Sequence, residues 1–388
     1  MKITAIRPIF AQGERRTFVF VKIETDQPGL VGWGEATVEG KPRAVAGCVQ
    51  DMEPMILGFS PLEVEHCWQV LYRSGFWRQG VIGLSALSGI DQALWDIKGK
   101  EAGKPIYELL GGKVRDRVRM YTHFGGGTPD AMAESALSKA AKGWDAVKTV
   151  PVPITNILDG PRILDEAEAG LKAVREAVGN DVDILLDMHG RVTPQMAIRY
   201  AHRFEPYYPF FMEEPVQAEN PAAMAQVARA TNIPIATGER LFTRWGFREI
   251  LETGAASLLQ PDACHAGGIS EIRRIAALAE VYYAGLAPHN PYGPVSTAAC
   301  VHVDFTTPNF VIQEMVDPDD MPLSMTEFVV EPLTVVDGHI LPPEKPGLGV
   351  EVDEAACARH APDFSSEEVR NSYQSYLARH RDGGVADS

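Results

Sequence analysis

At 388 residues the chain is about twice the length of one ordinary domain, so one barrel-sized unit with a smaller companion is the natural expectation. Hydrophobic residues make up 45% and charged residues 23%, and the formal net charge is -16 without any run of Lys and Arg, which excludes a nucleic-acid partner. No stretch is apolar and long enough to cross a membrane, and the opening MKITAIRPIF lacks a signal-peptide core, so no membrane partner and a cytoplasmic location are expected.

The opening segment reads as strands: residues 18–23 (FVFVKI) are rich in β-formers, and residues 29–35 follow with Gly and apolar residues before a polar turn. Residues 61–110 turn helical, with Ser85, Leu87, Ile90, Ala93, Leu94 and Ile97 largely at helical spacing and Gly111-Gly112 as a stop. Beyond them the rhythm becomes regular. Strand candidates fall at 118–124, 145–150, 183–189, 210–215, 233–239, 257–262, 285–290 and 310–315. Most of the intervening segments are helical, and Thr128, Thr193 and Asn220 each stand before a proline, the pattern of an N-cap with proline in the first turn. Gly179 and Gly254 sit where helices end, and Ile269, Ile272, Ile275, Ala276, Ala279 and Tyr282 mark one helix face. Alternation of strand and helix points to a parallel barrel; the rival, a doubly wound sheet, lacks a glycine fingerprint after its first strand. Strand-like sequence returns at 346–354, where the tail is expected to pack back on the N-terminal region. The cysteines at 48, 67, 264, 300 and 357 are odd in number and widely spaced, and read as buried thiols.

Barrels of this type carry their chemistry at the C-terminal strand ends, and the sequence places Asp187, Glu213 and Glu239 there at equal separations. Three carboxylates converging from successive strands repel one another unless a cation intervenes, and an all-oxygen set suits Mg²⁺. Glu214, next to Glu213, should point elsewhere and take a structural hydrogen bond. His189 lies two residues after Asp187, so strand alternation would put both on one face. Asp262 and His289 end adjacent strand candidates, where the carboxylate can orient the imidazole. Glu314 ends the last strand and can position a substrate oxygen. The Cys264-His265 pair is not read as a nucleophilic site, because neighbouring residues point apart.

These features resemble the enolase superfamily, mandelate racemase subgroup, and within it the galactonate dehydratases. The resemblance is carried by GFWRQG (75–80), SGIDQALWDIKGK (88–100), LLDMHGR (185–191), FMEEPV (211–216), ATGERLF (236–242), LQPDACHAGGI (259–269), LAPHNPYGP (286–294) and IQEM (312–315). It implies an α/β fold in which an α+β capping domain (1–117) covers a modified TIM-like (β/α)7β barrel (118–330), with residues 331–388 packing back on the capping domain. It further implies Mg²⁺ on Asp187, Glu213 and Glu239, a base at His289 oriented by Asp262, an acid at His189 and enediolate support from Glu314. The implied reaction is dehydration of a sugar acid by a homo-oligomer. Racemases of the subgroup carry a KxK pair after the second strand, whereas here Lys148 is followed by Thr149 and Val150, which favours elimination. Residues 12–17 and 75–80 are expected to form the lid. His123 is shared with mannonate-dehydratase-type relatives. Other sugar-acid dehydratases (gluconate, mannonate, arabinonate, galactarate), a racemase or cycloisomerase, and a non-catalytic ligand-binding protein stand as alternatives.

Overall fold

A computed structural model describes residues 1–367, 369, 377–380 and 382–387. The chain opens with an antiparallel sheet, β1 (Ile3–Gln12), β2 (Thr17–Thr25) and β3 (Val31–Glu35), in that order. Strand alternation gives β2 two apolar faces. Val19, Val21 and Ile23 pack with α1 (Pro42–Ile56), α2 (Val64–Arg73) and α3 (Val81–Ala102) in a core of their own. Phe18 and Phe20 face the other way, join the large barrel-side core and meet Phe328 at ring-centroid distances of 5.8 and 6.3 Å. Helix α3 is buried nearly all round, which explains why its apolar residues show so little one-sidedness. A Cβ at Gly34 would stand 1.9 Å from the Gly89 carbonyl oxygen, so glycine is what lets β3 ride directly on α3.

After the short α4 (Ile106–Leu109) comes the barrel. Its strands are β4 (Val118–His123), β5 (Ala146–Thr149), β6 (Asp183–Asp187), β7 (Phe211–Glu213), β8 (Ile235–Thr237), β9 (Leu258–Leu259), β10 (Gly285–Leu286) and β11 (Gln313–Glu314). The first seven are followed in turn by α5 (Pro129–Ala141), α6 (Pro161–Val178), α7 (Pro194–Phe204), α8 (Pro221–Ala228), α9 (Thr243–Thr253), α10 (Gly268–Val281) and α11 (Pro294–Thr306). Neighbouring strands from β4 to β10 pair in parallel. β11 pairs with β4, and a parallel bridge from Leu286 to Phe310 closes the ring. The architecture is a (β/α)7β barrel with an α+β capping domain. Thr128, Thr193 and Asn220 do cap α5, α7 and α8, accepting from the backbone N–H of Ala131, Met196 and Ala223. The described residues contain no helix long and apolar enough to cross a membrane.

Several expectations need correction. The last strands pair over only two residues each, because the chain leaves the ladder early to form the loops of the open face. Tyr282 lies beyond the buried stripe of α10 and is 44% exposed, since the helix has ended at Val281. Cys48 is only half-buried. A hairpin of β12 (Val335–Val336) and β13 (His339–Ile340) adds antiparallel to the start of β4. Around 346–354 the chain forms isolated bridges, Gly347 to Pro105 and Val352 to Val329, rather than a strand. This region touches the capping sheet through Trp33 Nε1, which donates to Glu351 at 2.9 Å. Residues 368, 370–376, 381 and 388 of the C-terminal segment lie outside the described residues.

Candidate active site

Side chains along a barrel strand alternate between the interior and the helix layer. Tyr121, Ala146, Leu185, Phe211, Ala236, Leu258, Ala287 and Ile312 form one interior cluster, one residue from each strand or its flank. Two residues further along each strand the same alternation presents His123, Lys148, Asp187, Glu213, Gly238, Gln260, His289 and Glu314. An apolar plug therefore floors a ring rich in ionisable groups at the C-terminal end of the barrel. Glu239 and Asp262 lie just beyond this ring. At Gly238, φ is +153° and a Cβ would meet the Gln260 backbone at 2.7 Å, so glycine lets β8 pass close to β9 and deliver Glu239.

Lys148 sits at the centre of the ring, with its Nζ 2.7 Å from Glu314, 2.9 Å from Glu213 and 3.3 Å from Asp187. Burial opposes its charge, but the surrounding carboxylates outweigh burial and hold the ammonium well above its usual pKa. Burial and the Asp187 charge push Glu213 up to about 8, even with Lys148 beside it. Glu314 accepts from Lys148, from His123 Nε2 at 2.6 Å and from Asn290 N at 2.7 Å; despite burial, Lys148 and His289 keep it well below the usual carboxylate range.

His289 Nδ1 lies 2.6 Å from Asp262 Oδ2, and its Nε2 lies 2.9 Å from Glu239 Oε2. Burial would favour the neutral ring, but Glu239, Glu314 and Asp262 together raise its pKa well above the ordinary value. His189 also meets Asp187, at 3.1 Å from Nε2, but not by strand alternation. β6 ends at Asp187, and His189 adopts φ +50° in a turn where its backbone N–H donates back to Asp187 Oδ1. A turn, not a strand face, brings the two together. Glu214 faces away from the ring and pairs with Arg240.

Asp187 and Glu213 are register partners on adjacent strands, and Glu239 follows on the next. The set fits a hard divalent cation: every donor is a carboxylate oxygen, and buried Glu213 Oε1 has no hydrogen-bond partner among the described residues. As the side chains stand, no group of three acidic, His or Cys residues among those described is arranged to hold an ion. Asp187 and Glu213 are instead paired to Lys148, and Glu239 to His289.

Sequence reading used Lys148 only as the lone lysine of an incomplete KxK pair and left His123 without a role. The alternation that marks Asp187 and Glu213 also marks these two. Of the expected lid segments, Arg16 stacks over Tyr292, three residues past His289, with its guanidinium 5.3 Å from the ring centroid. Phe76 and Trp77 of the other segment are 89% and 83% exposed and point outward. Cys264 is fully buried, and burial raises its thiol pKa far above normal, which agrees with its exclusion as a nucleophile. His265 is occupied by Ser85 Oγ at 2.7 Å and Tyr292 Oη at 2.9 Å.

Comparison with known proteins identifies the family of the chain. Residues 131–356 match the family described as "Enolase C-terminal domain-like", and residues 4–111 match "Mandelate racemase / muconate lactonizing enzyme, N-terminal domain". The chain is 43% identical over 382 residues to a D-galactonate dehydratase of Ralstonia pickettii (strain 12J), covering 95% of this chain and 96% of the relative. It is 41% identical over 396 residues to a D-galactonate dehydratase of Xanthomonas euvesicatoria pv. vesicatoria (strain 85-10), covering the whole of both. Among solved structures, an enolase from Agrobacterium radiobacter, a candidate galactarate dehydratase bound to Na and L-malate, superposes with a TM-score of 0.91 at 32% identity over the full length of both chains. The chain therefore belongs to the mandelate racemase/muconate lactonizing enzyme family of the enolase superfamily.

Proposed function

We propose that the chain is a Mg²⁺-dependent hydro-lyase that converts an aldonate, with D-galactonate as first candidate, into the 2-keto-3-deoxy acid. The observation that carries this reading is the placement of two histidines. His289 stands on the β10 side, bonded to Asp262 at 2.6 Å, and His189 follows β6. In an eight-stranded ring those strands lie opposite each other, so a substrate in the mouth would have one imidazole on each side. Elimination needs that arrangement, with a base for the α-proton and an acid for the departing hydroxyl. The D-galactonate dehydratases among the relatives support the substrate class.

Asp187, Glu213 and Glu239 would hold the ion. When bound, Mg²⁺ supplies Lewis-acid stabilisation of the negative charge that grows on the substrate carboxylate, on the order of several kcal/mol. With Glu239 turned to the ion, His289 Nε2 would be freed from its present 2.9 Å pairing with that carboxylate and would accept the α-proton, while its Nδ1–H donates to Asp262 and fixes the tautomer. The β-carbon–oxygen bond then breaks. His189 gives its proton to the leaving hydroxyl, which departs as water, and the remaining enol tautomerises to the keto acid. Glu314 accepts from Lys148 and from His123 Nε2, so its part is to fix these two side chains in the mouth where the enediolate would form. Val150 cannot serve as a second base, which disfavours racemisation. We assign the cap to residues 1–117, the barrel to 118–330 and the returning segment to 331–388, with several copies assembling into the working enzyme.

The test is a panel of aldonic and aldaric acids with Mg²⁺ in D₂O, followed by NMR for α-deuteration and by keto-acid derivatisation. Galactonate should lose water and accumulate keto acid. Absence of both signals across the panel would sink the reading.

A further inference from the structure

Helices α5, α7 and α8 are capped by their own Thr or Asn side chains. The two helices that follow Asp262 and His289 are not. α10 and α11 begin after Gly267 and Gly293, which have no side chain to offer. Their first N–H groups are satisfied from the capping domain instead. Asp91 of α3 accepts from Ser270 N at 3.0 Å. Glu35, the last residue of β3, accepts from Gly293 N at 3.0 Å and Ser296 N at 2.9 Å. A carboxyl oxygen at a helix N-terminus satisfies N–H groups that the helix itself leaves without an acceptor.

The Glu35 contact leads on into the site. Ser296 Oγ donates to Asn290 Oδ1 at 2.7 Å, and Asn290 Nδ2 donates to Thr297 Oγ1 at 2.9 Å. Asn290 is bonded in sequence to His289, and its N–H donates to Glu314 Oε2 at 2.7 Å. Glu35, Asn290, Ser296 and Glu314 are all fully buried, so these bonds face no competition from bulk water. Glu35 is itself fixed: Thr37 Oγ1 donates to its Oε1 at 2.9 Å. Gln92 of α3 bonds both its N–H and its carbonyl, and also donates to Ala263 O, beside Asp262, at 2.8 Å.

We propose that Glu35 is a positioning residue for the reaction: by capping α11 it sets, through Ser296 and Asn290, where His289 and Glu314 stand. The inference rests on the reading of His289 as the base. It makes the capping domain part of the proton-transfer geometry and not only a cover over the mouth, and Glu35 acts without touching substrate.

The test uses the full chain with saturating Mg²⁺. In Glu35→Gln an amide NH₂ faces one of the two N–H donors and half the cap is lost. The expected result is a fall in kcat on the order of 10- to 100-fold per folded molecule with KM nearly unchanged, because a displacement of about 1 Å is enough. Deuterium exchange at the α-carbon and dehydration should fall together. Ser296→Ala should act in the same direction, and the double variant should fall short of the product of the two single effects. Wild-type kcat in folded Glu35→Gln, or fully multiplicative effects, would overturn the proposal. A second readout does not need turnover: the low-field proton resonance of the Asp262–His289 bond should move in Glu35→Gln, and an unmoved resonance overturns the proposal. If the wild-type enzyme acts on no sugar acid, the proposed function fails, and this resonance alone decides whether Glu35 positions His289.

Discussion

At the scale of single residues, the proposed acid and base can be separated because they act on different bonds. His289→Asn keeps a polar group near Asp262 but cannot accept the α-proton. Exchange of that proton in D₂O should drop by at least ~10², and unchanged exchange would remove His289 from the base role. His189→Asn leaves the base in place. It should continue to exchange the α-proton while keto-acid formation falls by a similar factor; equal loss of both would mean that His189 serves the fold or the cation instead. Much of this site was legible in the sequence because strand alternation is a rigid rule. Asp187, Glu213, His289 and Glu314 each stand two positions beyond an apolar interior residue. Lys148 and His123 obey the same rule and were readable from it. The orientation of His189 was not, because it depends on a left-handed turn at φ +50°.

At the scale of elements, the N-caps and prolines were readable because capping is local, with donor and acceptor three residues apart. The Asp337-Gly338 turn was just as local. Both residues have positive φ between β12 and β13, the signature of a two-residue hairpin, and the Asp-Gly pair stands plainly in the sequence. The lengths of the barrel strands were not readable, because they depend on how many residues find a partner before the loops diverge. Gly238 shows where an element constrains chemistry. Gly238→Ala would drive a Cβ to 2.7 Å from the Gln260 backbone in a conformation that L residues avoid. We expect a loss of roughly 2 kcal/mol or more in urea unfolding and weaker Mg²⁺ affinity by calorimetry, since Glu239 is the next residue. Full affinity in this variant would argue against Glu239 as a ligand.

At the scale of the molecule, the capping domain and the barrel are joined by buried carboxylates whose ionisation links stability to pH. Asp91 accepts from both Ser270 N and Ser270 Oγ, and burial pushes its pKa up to about 7 from an ordinary 3.8. Folded protein therefore holds this proton over a range in which unfolded chain has released it, and the Asp91 contribution to stability declines as pH rises from about 4 to about 7. Asp91→Asn keeps the shape and cannot ionise. The melting temperature of the variant should gain on the wild type steadily across that window, by an amount equivalent to at most ~4 kcal/mol; parallel curves would show that Asp91 titrates normally. The sequence by itself determined the barrel, the ring of carboxylates and histidines, and the caps of α5, α7 and α8, because strand period and helix ends are properties of short stretches of chain. Only the tertiary structure decided how Lys148 is shared among three carboxylates, how Asp187 and His189 meet, and that Glu35 and Asp91 cap helices of the other domain. The contacts of Glu35 and Asp91 join residues up to 261 positions apart. No periodicity reports such a pairing; it exists only once two independently patterned units have packed together.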